Sequence, residues 1–152
     1  MQSFHDFQLK SITGEDVTLS KYAGQHALLV NVASECGYTP QYADLQLFHQ
    51  EYYGKVAMLG IPSNDFGAQE PGSDAQILDF CQTNFGVSFD LFSKISVTGP
   101  RRDPLYGWLA EESGNEPTWN FCKYLIDPNG KVLGFYTSGV NPFDEAITSQ
   151  LN

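Results

Sequence analysis

Ala27-Leu28-Leu29-Val30-Asn31-Val32-Ala33-Ser34-Glu35-Cys36-Gly37-Tyr38-Thr39-Pro40 is the stretch that decides the fold. Its first seven residues are apolar apart from Asn31 and partly β-branched, as expected for a strand buried on both faces. Ser34 to Gly37 breaks the run with a turn. From Pro40 to Tyr53 the apolar spacing changes: Tyr42, Leu45, Phe48 and Tyr52 recur three to four residues apart on one face of a helix. Val56 to Ile61 is a second apolar run. Strand, helix and strand in that order predict a β-α-β unit with a parallel pair at its centre.

Outward from this unit, Phe4, Phe7 and Leu9 precede the turn Thr13-Gly14-Glu15-Asp16, and Val17 and Leu19 follow it, which predicts an N-terminal β-hairpin. Beyond the turn-rich Pro62 to Gly67, Ser73 with Gln76 three residues later is a capping-box signature for a helix reaching about Asn84. Pro104 is placed to open another helix carrying Leu105, Trp108 and Leu109. Phe121 to Ile126, the turn Asp127-Pro128-Asn129-Gly130 and Lys131 to Tyr136 predict a second hairpin. A short helix from about Pro142 to Gln150 closes the chain. The order predicts an α/β fold, with a central mixed β-sheet flanked by helices. No repeat or linker interrupts it, and 152 residues suit one domain, 1–152.

Composition narrows the function. The chain is 41% hydrophobic and 17% charged, a globular balance, and its formal net charge of −10 leaves no broad footprint for nucleic acid or anionic lipid. The adjacent pair Arg101-Arg102 reads as a solvated turn. The N-terminus has neither the basic start nor the apolar core of a signal peptide, and no apolar run approaches the length of a membrane span, so stable membrane insertion is not expected. If the chain starts where its gene does, it is a cytoplasmic protein whose thiols are kept reduced. Cys36, Cys81 and Cys122 are odd in number and lack zinc-site spacing, which excludes a fully paired disulfide framework and predicts no bound metal. No glycine-rich phosphate loop is present and no cofactor is expected. His5, His26 and His49 lie in no motif and are expected at the surface.

The chemistry gathers where the first core strand gives way to the helix. A thiol at Cys36 would sit near unpaired N–H groups and the positive end of a helix dipole, both of which favour thiolate, the nucleophilic form. The plainer reading of Cys36, a small apolar residue at a strand end, stays open on placement alone.

Three segments together resemble one family. Asn31 to Thr39 is similar to the active-site signature of the glutathione peroxidases in their cysteine form. Gln69-Glu70-Pro71-Gly72-Ser73 resembles the family's second motif, and Trp119-Asn120-Phe121 with Lys123, Leu125 and Asp127 its third. The motifs occur in family order and the resemblance covers essentially the whole chain. It implies a thioredoxin-like fold and reduction of hydroperoxides, hydrogen peroxide or organic and lipid hydroperoxides, by a peroxidatic thiol. It also implies a catalytic tetrad of Cys36, Gln69, Trp119 and Asn120. Cys36 would become a sulfenic acid, while the Gln69 amide, the Trp119 indole N–H and the Asn120 amide or backbone donate hydrogen bonds that stabilise the thiolate and the developing alkoxide.

Cys81 lies in Phe80-Cys81-Gln82-Thr83-Asn84-Phe85-Gly86, which resembles the branch whose second cysteine resolves the sulfenic acid as a disulfide that thioredoxin then reduces. A buried structural cysteine is the other reading. Forming the bond would require the helix around Cys81 to open locally, since a disulfide needs Cα atoms roughly 4.4–6.8 Å apart. Ser63, Asp65, Asp90 and Cys122 depart from the family's usual residues without touching the tetrad. The short connection Glu111 to Thr118 implies a monomer or weak dimer with an open site. Two further readings remain: a glutathione-dependent peroxidase with a structural Cys81, and a redox sensor or relay that passes a Cys36–Cys81 disulfide to a partner.

Overall fold

The computed structural model describes residues 2–151. A five-stranded mixed sheet is its centre, with strands in the order β5-β4-β3-β6-β7. The expected β-α-β unit is β3 (His26–Val32), α1 (Tyr42–Glu51) and β4 (Val56–Pro62), and β3 and β4 pair in parallel from His26 opposite Val56 to Val32 opposite Pro62. The second hairpin, β6 (Lys123–Ile126) and β7 (Val132–Tyr136), joins antiparallel to the other edge of β3. The first hairpin, β1 (Gln8–Lys10) and β2 (Asp16–Thr18), forms its own two-stranded sheet. The mixed sheet with its flanking helices is the thioredoxin-like arrangement.

Alternation along β3 divides the interior into two layers. Leu28, Val30 and Val32 face α1 and α2 (Asp74–Phe85), where Tyr42, Leu45, Phe48, Ile77 and Cys81 cover them. Ala27 and Leu29 face the opposite layer, closed by Leu105, Tyr106, Trp108 and Leu109 of α3 (Pro104–Ser113) and by Phe4, Leu19 and Tyr22. Because both faces are covered, β3 needs apolar residues at consecutive positions, which is why it reads as an unbroken run.

Several boundaries differ from the sequence expectation. The chain enters α1 through a 3-10 turn at Thr39–Gln41, so Pro40 opens that turn and the α-helix starts two residues later. The closing helix α4 is only Glu145–Thr148, capped by the Asp144 side chain. A two-residue strand β5 (Asp90–Leu91) pairs with Leu59 and Gly60 of β4 and adds a second parallel pair. It was illegible because two residues carry no periodicity. A Cβ on Gly60 would come within 2.7 Å of the Leu91 side chain, so β4 lies this close to the 89–91 segment only with glycine there. The capping box of Ser73 and Gln76 forms, and Trp108 is buried. His5, His26 and His49 are each partly exposed and partly buried. Burial lowers the His49 pKa, with Asp90 opposing.

Candidate active site

Cys36 sits in the turn between β3 and the 3-10 turn, 8% exposed. Thr39 shapes this turn: its hydroxyl donates to the Ala33 carbonyl at 2.8 Å and accepts the Cys36 N–H at 2.9 Å. The Tyr38 N–H donates to Cys36 Sγ at 3.3 Å. The expected N–H donor near the thiol therefore exists, but the turn ahead of the helix supplies it, not the first turn of α1.

The second motif lies against this turn. The Glu35 N–H donates to the Gln69 carbonyl at 3.0 Å, and the Ser34 N–H donates to Glu70 Oε1 at 3.2 Å. The third motif reaches the second through Asn120, whose Nδ2 donates to Gln69 Oε1 at 3.0 Å and to the Phe66 carbonyl at 3.3 Å. The Trp119 ring packs on Phe66 at 5.8 Å and covers Gly67, where a Cβ would meet the indole at 3.0 Å. Trp119 also borders the buried cluster that holds Cys36 and Cys81. The fold thus joins Cys36, Gln69, Trp119 and Asn120 into one connected set.

Within that set the two amides are engaged differently. Both N–H bonds of the Asn120 amide are directed at protein oxygens, one of them Gln69 Oε1. With the oxygen end of the Gln69 amide engaged, its Nε2 is the end left to serve a reacting oxygen.

Phe121, next to this pair, has φ +65°, a backbone conformation that bulky side chains rarely adopt. Three bonds hold it there. Its N–H donates to the Asn31 carbonyl, Lys123 Nζ donates to its carbonyl at 2.7 Å, and the Ser138 hydroxyl donates to the Asn120 carbonyl. Lys123 is fully buried, and burial pushes its pKa down to about 8, with Cys122 opposing. Ser138, eighteen residues from Asn120, had no signal in the sequence. Lys123 was visible only as a motif residue.

Glu70 was legible as part of a motif but not as a buried group. It is 1% exposed, and its Oε2 has no partner among the described residues. Burial raises its pKa, the Ser34 hydrogen bonds and Lys94 oppose, and Glu35 adds to the rise. Asp65 anchors the loop leading to Gln69, accepting the Val97 N–H at 2.6 Å and the Thr98 N–H at 3.2 Å.

Cys81 lies in the third turn of α2, fully buried, and all three cysteines are free. Burial pushes its pKa up to about 11, the Tyr42 hydroxyl works to lower it, and Glu70 adds to the rise. Two shallow cavities flank the Cys36 turn. One of about 390 Å³ is bounded by Ser34, Glu35, Glu70, Gln76, Ile77 and Phe80, and one of about 270 Å³ lies between Tyr38 and Asn141. A larger cavity of about 640 Å³ lies elsewhere, between the first hairpin and the C-terminal half of α2. Among the described residues no cluster of His, Cys, Asp and Glu could hold a metal ion, and no helix is long and apolar enough to cross a membrane.

The family model described as glutathione peroxidase matches residues 4–110. The chain is 42% identical to the glutathione peroxidase-like peroxiredoxin 2 of Saccharomyces cerevisiae, over 99% of this chain and 98% of that one. It is 38% identical to the hydroperoxy fatty acid reductase of Synechocystis, over 92% and 89% of the two chains. Among solved structures, a thioredoxin-family thiol:disulfide interchange protein from Chlorobium tepidum matches with a TM-score of 0.73 at 14% identity, covering 99% of this chain and 97% of that one, which shows the fold alone.

Proposed function

The chain belongs to the glutathione peroxidase family, and from that premise we propose how its residues divide the work of reducing a hydroperoxide. It is a peroxidase that uses a hydroperoxide substrate and a thiol reductant. In our reading Cys36 thiolate attacks the terminal peroxide oxygen. The S–O bond forms as the O–O bond breaks, and the alkoxide leaves as alcohol after taking a proton. Gln69 Nε2 and the Trp119 indole N–H stabilise the negative charge that develops on oxygen, and Asn120 holds Gln69 in place. The observation that carries this assignment is the continuous set of contacts from the Cys36 turn through Gln69 to Asn120.

Cys81 is the resolving thiol in this reading. It attacks the Cys36 sulfenic acid, water leaves, and thioredoxin reduces the resulting disulfide. The charge around the site favours thioredoxin over anionic glutathione. Glu35 is exposed at its rim, and the neighbouring cation, Lys94, is engaged by the carbonyls of Glu70 and Gly72 at 3.0 and 2.6 Å. Bulky hydroperoxides, including those of fatty acids, suit the shallow cavities beside Cys36. One domain, 1–152, acting in the cytoplasm as a monomer or weak dimer completes the proposal.

Steady-state peroxide consumption with thioredoxin and then with glutathione tests it. Cys36→Ser should abolish turnover with either donor. Cys81→Ser should lose the thioredoxin-driven turnover, and undiminished turnover there would remove the resolving role. Faster turnover by the wild type with glutathione would reassign the donor.

A further inference from the structure

We infer that Asn31 and Ser138 are positioning residues for the attack on peroxide: they hold the Trp119 and Asn120 carbonyls and thereby fix both side chains relative to Cys36. The inference rests on the donor roles proposed above for Trp119 and Gln69. The starting observation is a polar residue where packing asks for an apolar one. Asn31 is 0% exposed and is the one polar residue from Ala27 to Ala33. A buried amide is costly unless it is hydrogen-bonded, and a strand covered on both faces would be served by valine or leucine there. Asn31 Oδ1 has no partner among the described residues, so the residue is retained for the bonds its other groups make.

Those bonds all go to one segment. The antiparallel ladder between β3 and β6 ends at Val30 opposite Lys123, and Asn31 lies one residue beyond it. There its Nδ2 donates to the Trp119 carbonyl at 2.9 Å, its carbonyl accepts the Phe121 N–H, and its N–H donates to the Cys122 carbonyl at 3.3 Å. The turn that precedes β6 is thus fastened to β3. Ser138, buried in the segment after β7, adds its hydroxyl bond to the Asn120 carbonyl, and Lys123 of β6 adds its bond to the Phe121 carbonyl. Three consecutive carbonyls, those of Trp119, Asn120 and Phe121, therefore each receive a buried side-chain donor from a different part of the chain.

The placement gives this arrangement a use. A peptide unit is planar, so anchoring successive carbonyls fixes the direction in which the side chain between them leaves the backbone. Asn120 lies between the first two anchored carbonyls, and its amide bonds Gln69. Trp119 adjoins the first, and its ring packs on Phe66 and over Gly67. Asn31 itself belongs to β3, the strand that leads into the Cys36 turn. One strand thus sets the position of the nucleophile and of the groups that meet the oxygen it attacks. A misplacement of about 1 Å between such groups costs on the order of a hundredfold in rate.

Two reactions of the same thiol test this. Oxidation of Cys36 by hydrogen peroxide is followed as loss of the free thiol, and its alkylation by iodoacetamide by mass spectrometry, on the pH plateau of that reaction. Alkylation expels iodide and builds no charge on oxygen, so it needs no oriented donor. Asn31→Val, which keeps the strand β-branched and apolar, should slow oxidation by about a hundredfold and leave alkylation unchanged. The Trp119 indole N–H resonance should shift in proton–nitrogen correlation spectra while that of Trp108 stays. Ser138→Ala leaves β3 untouched and should slow oxidation with the same selectivity, so it carries the test should Asn31→Val fail to fold. The inference is overturned if either folded variant oxidises at the wild-type rate. It is equally overturned if alkylation slows as much as oxidation, since that marks a support for the Cys36 turn. Trp119→Phe and Gln69→Ala test the donor roles beneath it. Wild-type oxidation by both would leave no donor to position, whereas slow oxidation by both beside wild-type rates in Asn31→Val and Ser138→Ala would overturn this inference alone.

Discussion

At the scale of single residues, the site depends on which end of an amide is free. Asn120 Nδ2 spends its hydrogens on Gln69 Oε1 and the Phe66 carbonyl, which selects one of the two orientations open to the Gln69 side chain. Asn120→Ala should therefore slow the oxidation of Cys36 by peroxide by about a hundredfold, the order seen when one oriented donor is lost. The second-order rate constant for loss of the free thiol is the measurement, and an unchanged constant would refute the orienting role. Cys36 was legible because a thiol between a buried strand and a helix is an unusual placement. The contacts of Asn120 and the burial of Glu70 were not, since both depend on residues far away in the chain.

At the scale of elements, α2 is both a support and an obstacle. Its N-terminus is closed by the Ser73–Gln76 capping box and its C-terminus by Gly86 at φ +59°, with the Val87 N–H donating to the Cys81 carbonyl at 3.3 Å. A latch from α1 reinforces that end: Gln46 Nε2 donates to the Ser88 hydroxyl at 2.8 Å, and the Ser88 N–H donates to Gln46 Oε1 at 2.9 Å. If Cys81 must leave the helix to reach Cys36, this latch holds it back. Gln46→Ala should speed disulfide formation in single turnover while lowering stability by about 1–2 kcal/mol. A disulfide rate that is unchanged or slower would show that the 86–88 end does not gate the reaction. The capping box could be read from two letters three residues apart, whereas Gln46 and Ser88 lie on separate elements and have no local signature.

At the scale of the whole molecule, a buried cation sets a pH dependence of stability. Lys123 takes up its proton near 10.5 when unfolded and near 8 when folded, because burial disfavours its charge. Between those values the unfolded chain binds more protons, so stability rises with pH across the window. The penalty, on the order of 3 kcal/mol, is fully present below about pH 8. Cys81 acts in the opposite sense above its ordinary value of 9.0, so pH 8 to 9 is the cleanest interval. Unfolding free energy should climb with pH there in the wild type and less steeply in Lys123→Met, and equal slopes would contradict this account. The same substitution removes the bonds to the Phe121 and Ser138 carbonyls, so peroxide turnover should fall as the Trp119–Asn120 segment relaxes.

By itself the sequence determined the β-α-β unit, the mixed sheet, the capped helix and the three motifs, because periodicity, turn residues and caps act over a few positions at a time. It did not contain β5, whose two residues pair only because β4 already lies beside them. Nor did it show that Thr39 shapes the thiol's turn, that Asn120 bonds Gln69, or that Glu70 is buried with one oxygen unpaired. Those facts arise where β3, the Gln69 loop, α2 and β6 converge. The physical reason is that burial and hydrogen-bond partnership belong to pairs of groups distant along the chain, and only the packed sheet and helices decide which pairs meet.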